Sequence, residues 1–285
     1  MSIEGLPPLR EVIARHDLAA DKRFGQHYLL DLNVTAKIAR LCGDMSETSV
    51  FEVGPGPGGL TRALLSEGAG EVIAIEKDAR FLPALEEIRA ASQDRLCLVE
   101  ADAMKVDERA IQTRFETRML ASNLPYNVGT ALLIKWLEAE PVWWSRLVLM
   151  FQKEVAERVV ARAGDDAYGR LAILTAAVAS ARYAFTLPAR AFTPPPKVDS
   201  AVVVLEPLPE AEKFADLAAL SAITESAFGQ RRKTLRKSLG VAAGKAGVKT
   251  EALLETAGID GGARAETIPP EGFFRLAQAW RAARG

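Results

Sequence analysis

VFEVGPGPGG, residues 50–59, joins a short apolar run to a glycine-rich turn. Gly54, Gly56 and Gly59 have the spacing G-x-G-x-x-G, and an amphipathic segment follows at 60–67. Glycine lets the backbone approach a ligand closely, and the first turn of a helix leaves N–H groups free to bind it. The stretch therefore predicts a strand, a nucleotide-binding turn and a helix. By itself it fits a nicotinamide dinucleotide as well as S-adenosylmethionine, or a tight turn that binds nothing.

Similar apolar runs recur along the chain and alternate with amphipathic segments. Strands are predicted at 50–54, 71–75, 96–100, 117–122, 146–151, 183–188 and 201–205, with helices at 60–67, 79–91, 128–138 and 152–162. The alternation indicates an α/β, Rossmann-like parallel sheet of about seven strands with helices on both faces. After 207–210, Pro-Leu-Pro-Glu, the strand signal ends. We therefore expect a larger domain over 1–206 and a small all-helical domain over 207–285.

Composition narrows the class of protein. The 36 basic and 37 acidic residues give a net charge of −1, so any surface that binds nucleic acid must be local. No apolar stretch is long enough for a membrane span, and the N-terminus mixes charges where a signal peptide would be apolar, so we expect a cytoplasmic protein. Cys42 and Cys97 are isolated, and His16 and His27 do not complete a zinc ligand set. We expect no metal.

Two carboxylates follow predicted strands. Glu76 ends the second strand, where a carboxylate can bind ribose hydroxyls, although it could instead serve a helix start. Asp102 follows the third strand and can accept a hydrogen bond from an adenine amine, or be a solvated turn residue. Because carboxyl ends of parallel strands share one edge of the sheet, both residues are expected beside the glycine turn.

Asn123-Leu124-Pro125-Tyr126 ends the fourth predicted strand, next to the first across the point where such sheets bind ligands. The N6 amine of adenine is a poor nucleophile because its lone pair is delocalised into the ring. If the Asn123 side-chain oxygen and the Leu124 carbonyl accept its hydrogens, the lone pair can be aimed at a methyl donor. Tyr126 offers a face on which the base can stack. The four residues alone would also fit an ordinary Asn-x-Pro turn with a core tyrosine.

With these motifs in order, the chain resembles the ribosomal RNA adenine N6,N6-dimethyltransferases of the KsgA type, within the class I S-adenosylmethionine-dependent methyltransferases. The resemblance runs nearly end to end and includes 24–29 (FGQHYL), 53–56, 74–78 (AIEKD), Asp102, 123–126, 192–201 (FTPPPKVDSA), 228–235 (FGQRRKTL) and 264–266. It implies S-adenosylmethionine contacts from Gln26, His27, Leu29, Gly54, Gly56, Glu76, Asp102 and Asn123. It implies target-base contacts, and so the catalytic set, from Asn123, Leu124, Tyr126 and Phe192.

His27 departs from the family pattern, which usually has Asn after the Gln. An imidazole can still donate or accept a hydrogen bond, but a protonated ring would lie unfavourably near a sulfonium cation. We therefore expect His27 to be neutral at pH 7.

The segment 228–237 is predicted to be a helix that binds RNA. Phe228, Leu235 and Leu239 share one face at spacings of seven and four. The cations that flank this apolar face are Arg231, Arg232, Lys233, Arg236 and Lys237. They fit a phosphate-binding stripe, and they also fit an ordinary solvated helix face. The resemblance implies that the substrate is two adjacent adenines in a hairpin near the 3′ end of small-subunit rRNA, within an assembling 30S subunit. The sequence leaves the oligomeric state open, and a monomer is the default expectation.

Three other functions fit part of the pattern. An NAD-dependent oxidoreductase explains the glycine turn and Glu76 but gives no role to 123–126 or to the loop after Phe192. A catalytically silent ribosome-assembly or transcription factor on the same fold would keep the binding residues. The antibiotic-resistance relatives that act on large-subunit rRNA are typically strongly basic, unlike this chain.

Overall fold

The apolar run before the glycine turn is a strand whose six residues are all buried, Thr48–Val53. It lies inside a mostly parallel sheet in the computed structural model, which describes residues 2–20 and 26–284. In chain order the strands are β1 (Tyr28–Leu29), β2 (Thr48–Val53), β3 (Glu71–Glu76), β4 (Leu96–Glu100), β5 (Thr117–Asn123), β6 (Arg146–Gln152), β7 (Ala179–Leu187), β8 (Phe192–Thr193) and β9 (Ser200–Pro207). The α-helices are α1 (Leu9–Arg15), α2 (Leu32–Ala39), α3 (Gly59–Ser66), α4 (Leu82–Ala91), α5 (Gly129–Leu137), α6 (Lys153–Val160), α7 (Arg170–Val178), α8 (Leu217–Phe228), α9 (Leu235–Ser238), α10 (Gly240–Lys245), α11 (Thr250–Ala257) and α12 (Pro270–Arg284).

The main sheet has the order β4-β3-β2-β5-β6-β9-β7 in the described part of the chain. The pairs β4·β3, β3·β2, β2·β5 and β5·β6 are parallel, whereas β9 runs antiparallel to β6. The predicted α/β fold is confirmed, with the difference that the sheet is mixed rather than wholly parallel. Strand β9 follows a turn after β8 and so can enter the sheet in the opposite direction without a crossover helix.

The strand order reverses next to β2. The chain passes from β2 through β3 to the edge strand β4 and then returns to β5 on the other side of β2. Loops after β2 and β5 therefore diverge, and the crevice between them is where open α/β sheets bind ligands.

A second, two-stranded sheet pairs β1 with β8. The pairing is antiparallel and places Tyr28 opposite Thr193 and Leu29 opposite Phe192. This pairing places residues 26–29 of the N-terminal motif beside the proline-rich loop at 194–196. Of the predicted N-terminal motif, Phe24 and Gly25 lie outside the described residues.

The chain divides into two compact units. One is Met1–Ala156 with Arg182–Glu206, and the other is Glu157–Ala181 with Pro207–Gly285. The sequence-based division placed its boundary after residue 206, and it did not group 157–181 with the C-terminal residues. The short polar segment between α6 and α7 does not differ in composition from its surroundings, so the sequence gives no sign that the chain enters the second unit there.

The predicted continuous helix over 228–237 is wrong. Helix α8 ends at Phe228, and α9 begins only at Leu235. Between them Thr234 forms a β-bridge with Arg264, and the N–H of Leu235 donates to the Ala263 carbonyl at 2.8 Å. Residues 263–264 thus occupy backbone groups that would form internal hydrogen bonds in a continuous helix. The apolar spacing still places Leu235 and Leu239 in the core, each with 0% exposure.

Candidate active site

A cavity of about 650 Å³ opens at the carboxyl ends of β2, β3, β4 and β5. This volume is in the range of small-molecule sites. The predicted residues that line it are Gln26, His27, Leu29, Gly54, Gly56, Glu76, Asp102, Asn123, Leu124 and Tyr126. The fold therefore brings together ten of the eleven residues expected to contact donor or base.

The glycine turn needs glycine for two reasons. Gly56 lines the cavity with φ +55°, a left-handed conformation that side chains disfavour. Gly58 has φ +86°, and a Cβ there would lie 2.1 Å from Cδ1 of Ile88 on α4. The sequence pattern did not single out Gly58, yet its missing side chain lets the start of α3 pack against α4.

Glu76 is held by the turn that it faces. Its Oε2 accepts from the Gly56 N–H at 3.2 Å, and its Oε1 accepts from the Asp78 N–H at 2.8 Å. The side chain is buried, and burial raises the pKa of the Glu76 carboxyl while these N–H groups act in the opposite direction. Each oxygen keeps lone-pair capacity for another donor, such as a hydroxyl group.

Asp102 follows the edge strand β4. The Lys77 ammonium donates to its Oδ2 at 2.9 Å, and the Met104 N–H donates to its Oδ1 at 3.0 Å. The hydrogen bond from Lys77, followed by that from Met104, lowers the pKa of the Asp102 carboxyl. Asp102 is therefore an anionic acceptor at the cavity wall at neutral pH.

Asn123 is the last residue of β5, and Leu124 follows it into the turn. Among the residues that the structure describes, no hydrogen bond engages the Asn123 side chain or the Leu124 carbonyl. Pro125 carries no N–H, and its own carbonyl accepts from Val128 and Gly129 at the start of α5. Both residues line the cavity, so two acceptors are left for the donor groups of a ligand.

Tyr126 is fixed from two sides. Its hydroxyl shares a 2.6 Å hydrogen bond with Ser200 Oγ, and its ring lies 5.5 Å from the His27 ring, centroid to centroid. Burial raises the pKa of the Tyr126 hydroxyl, which therefore stays protonated at neutral pH. His27 Nδ1 lies 2.7 Å from the Pro194 carbonyl. Because a carbonyl only accepts, Nδ1 carries the hydrogen, and in the neutral ring Nε2 is left as an acceptor.

Phe192 is the exception among the predicted base contacts. Its side chain is 3% exposed and packs in the hydrophobic core, and it does not line the cavity. The pairing with Leu29 turns it inward. Stacking of a base on Phe192 would require this ring to become exposed.

Glu52 is a cavity residue that the sequence reasoning missed. It is 2% exposed, accepts a 2.6 Å hydrogen bond from Thr61 Oγ1, and burial raises the pKa of its carboxyl to about 8. A carboxylate inside the otherwise apolar run 50–53 was the available signal. Such a residue is unusual enough to mark a site.

The five predicted RNA-binding cations lie in the other unit. Arg231, Arg232, Lys233, Arg236 and Lys237 are all exposed. The Arg231 guanidinium donates to the backbone carbonyls of Asp166 and Tyr168 at 2.9 and 3.1 Å. A hollow of about 400 Å³ in this unit is lined by Gly164, Asp165, Asp166, Arg231, Arg232, Arg264 and Glu266, so its charge is mixed.

No helix among the described residues has the length and apolar character needed to cross a membrane.

Comparisons with known proteins identify the family. The family model described as ribosomal RNA adenine dimethylase matches residues 18–281. The ribosomal RNA small subunit methyltransferase A of Maricaulis maris is 64% identical over 99% of this chain and 98% of its own length. A dimethyladenosine transferase from Plasmodium falciparum superposes with a TM-score of 0.75 at 25% identity, covering 90% of this chain and 98% of its own. The 23S rRNA methyltransferase ErmE gives a TM-score of 0.65 at 28% identity, covering 89% and 99%. The chain therefore belongs to the ribosomal RNA adenine dimethylase family and is an rRNA adenine dimethyltransferase.

Proposed function

We propose that the chain transfers methyl groups from S-adenosylmethionine to the N6 amines of two adjacent adenines in a 3′-terminal hairpin of small-subunit (16S) rRNA. The product is N6,N6-dimethyladenosine, formed while the 30S subunit assembles. One observation carries the proposal: the Asn123 amide and the Leu124 carbonyl stand without partners among the described residues, at the rim of a cavity built on a glycine turn.

The cavity residues fit S-adenosylmethionine. The remaining acceptor capacity of Glu76 suits the two hydroxyls of a ribose, and the anionic Asp102 suits an adenine amine. Gly56 exposes backbone to the cavity, which allows close approach of a ligand. Gln26, His27 and Leu29 complete the wall from the N-terminal side.

When bound, S-adenosylmethionine supplies a methyl group already activated by a sulfonium. The residues of the chain then have to hold the nucleophile. Asn123 Oδ1 and the Leu124 carbonyl accept the two hydrogens of the target amine, which draws the nitrogen toward tetrahedral geometry. Alignment of this kind is worth roughly 7–11 kcal/mol at best, so a dedicated base is not required.

The target adenine leaves its stack to enter the site, which costs a few kcal/mol. Stacking of the base on Tyr126 offsets part of this free energy, because stacking on an aromatic side chain contributes about 1–3 kcal/mol per base. The Ser200 hydrogen bond and the His27 ring hold that aromatic face in place before the base arrives. Phe192 is the second proposed stacking residue and acts only once uncovered.

The same pair of acceptors accounts for two rounds of transfer. The first methylation costs the amine one proton, which passes to solvent, while the sulfonium would become a neutral thioether. The amine still has one hydrogen for Asn123 or Leu124 to hold. The dimethylated nitrogen has no hydrogen left, so the product can no longer donate a hydrogen bond to Asn123 or Leu124.

RNA binding falls to the exposed cations Arg231, Arg232, Lys233, Arg236 and Lys237. They form a local basic surface on a chain with a net charge of −1, and phosphate contacts are the expected role of such a surface. We propose that the enzyme works as a monomer on the assembling small subunit.

The test is methyl transfer to small subunits isolated from cells that lack this modification. With labelled S-adenosylmethionine, the wild-type protein should yield N6,N6-dimethyladenosine at two neighbouring positions of the digested rRNA. Asn123→Ala should lose at least about a hundredfold in rate, and the exposed control Asn33→Ala should not. Methylation elsewhere, or none with the wild-type protein, would overturn the proposal; the second outcome would leave a silent assembly factor.

A further inference from the structure

Lys135, on α5, belongs to a polar cluster next to the turn that follows Asp102. Its ammonium lies 2.9 Å and 2.7 Å from the two oxygens of Glu108, which is 2% exposed. The fully buried Trp136 donates its indole N–H to Glu108 Oε1 at 3.0 Å. The Glu108 carboxylate is buried and the Lys135 side chain is half-buried, and the additional hydrogen bonds from Trp136 and Lys135 satisfy the carboxylate, so this lysine has a fixed position.

The same ammonium holds the turn that follows Asp102. It donates to the carbonyls of Ala103 at 2.7 Å and Val106 at 2.5 Å. The turn is otherwise closed by the N–H groups of Lys105 and Val106, which both donate to the Asp102 carbonyl. An ammonium has three hydrogens, and here they meet four acceptors, so the Lys135 head group is saturated by this turn and Glu108.

The position of the turn explains why it needs this support. Strand β4 is at the edge of the sheet, so the segment after it has a neighbouring strand on one side only. Lys135 reaches it from α5, the helix that follows β5 and the Asn123 turn. One side chain thereby ties the turn after Asp102 to the helix that follows the Asn123 turn.

We propose that Lys135 is a positioning residue for the donor: by holding the 102–106 turn, it sets Asp102 in the orientation that recognises the adenine amine of S-adenosylmethionine. The inference rests on the proposed function, because it assumes that this cavity takes that donor. Glu108 and Trp136 act through Lys135, and none of the three touches the reacting atoms.

Calorimetric binding of two non-reacting ligands tests it. S-adenosylhomocysteine carries the exocyclic amine, and S-inosylhomocysteine carries an oxygen in its place, so their affinity ratio reports the Asp102 contact. Lys135→Met should weaken S-adenosylhomocysteine about tenfold with little effect on the inosine analogue. The Lys135→Met variant leaves the buried Glu108 carboxylate without its cation, so the double variant Lys135→Met/Glu108→Gln is measured beside it. The double variant removes both charges, and the same loss of discrimination between the two ligands is expected.

Arg118→Met is the matched control. Arg118 donates to the carbonyls of Glu108, Arg109 and Ile111, the later part of the same connection, and not to the 102–106 turn. It should lower thermal stability and leave the ligand ratio unchanged. A folded Lys135 variant that retains the wild-type ratio overturns the positioning role. Failure of the wild-type protein to bind S-adenosylhomocysteine at all would instead overturn the proposed function.

Discussion

Replacing Glu52 with glutamine should stabilise the protein at alkaline pH and have little effect at acid pH. The pKa of the Glu52 carboxyl is raised from 4.5 to about 8 because the side chain is buried in β2. Below pH 4.5 the carboxyl is protonated in both the folded and the unfolded chain, so it contributes no pH dependence. Between pH 4.5 and 8 only the unfolded chain ionises, so the free energy of unfolding falls as the pH rises. Above pH 8 both states are ionised and the loss is complete.

The size of this loss of stability follows from the difference between the pKa values of Glu52 in the unfolded and folded chain. Each pH unit between the two pKa values lowers the free energy of unfolding by about 1.4 kcal/mol, so the full loss approaches about 5 kcal/mol. The glutamine of the Glu52→Gln variant would be neutral throughout and would still accept the hydrogen bond from Thr61. The difference between variant and wild type should therefore grow by about 2–4 kcal/mol from pH 5 to pH 9, with relaxation of the site and solvent entry reducing the upper figure.

Chemical denaturation at a series of pH values measures this difference. Subtracting wild type from variant cancels the titration of groups that do not interact with Glu52; Glu76 does interact with it electrostatically. Glu116→Gln, at an exposed position, changes the charge by the same amount and should show no such growth. A difference for Glu52→Gln that is constant within about 1 kcal/mol across the range would refute the argument from burial.

Three further predictions concern the turn, the tyrosine and the RNA surface. Gly58→Ala should lower the free energy of unfolding by about 2–4 kcal/mol in denaturation experiments, since the new Cβ meets Ile88 and the backbone is left-handed. Ser200→Ala should reduce methyl transfer about tenfold while calorimetric binding of S-adenosylhomocysteine stays unchanged, because only the hydroxyl that fixes the stacking face is released; weaker binding of that ligand would contradict this role. Lys233→Ala and Lys237→Ala should each reduce the slope of log affinity against log salt for rRNA by about one, as measured by filter binding, and an unchanged slope would remove that residue from the interface.

The sheet could be predicted from sequence because its strands are short, buried and apolar, and each is followed by a recognisable helix or turn. All seven predicted strand positions lie within or next to observed strands of the main sheet, and four of the proposed donor-binding residues, Gly54, Glu76, Asp102 and Asn123, lie at or just after the ends of those strands. The β1·β8 sheet was not predicted, since two-residue strands carry no periodic signal. The helix over 228–237 was wrong because apolar spacing cannot show that a distant segment bonds to Thr234.

The site residues that escaped prediction act through three-dimensional contacts. Glu108 and Lys135 read as ordinary surface charges, and only the fold places them against the turn after Asp102. Phe192 reads as an available aromatic residue, yet its pairing with Leu29 buries it. Patterns along the chain indicate which element a residue occupies, whereas these roles depend on which other element it faces.

The β1·β8 pairing also bears on biosynthesis. Leu29 emerges from the ribosome early, but its partner Phe192 is made only after β2 to β7 have been translated. A strand cannot complete its hydrogen bonds before its partner exists, so the N-terminal wall of the cavity cannot close until residue 192 of 285 has been translated. Nascent chains that stop short of Phe192 would have the glycine turn without that wall, so we expect them to bind S-adenosylmethionine more weakly than the full chain.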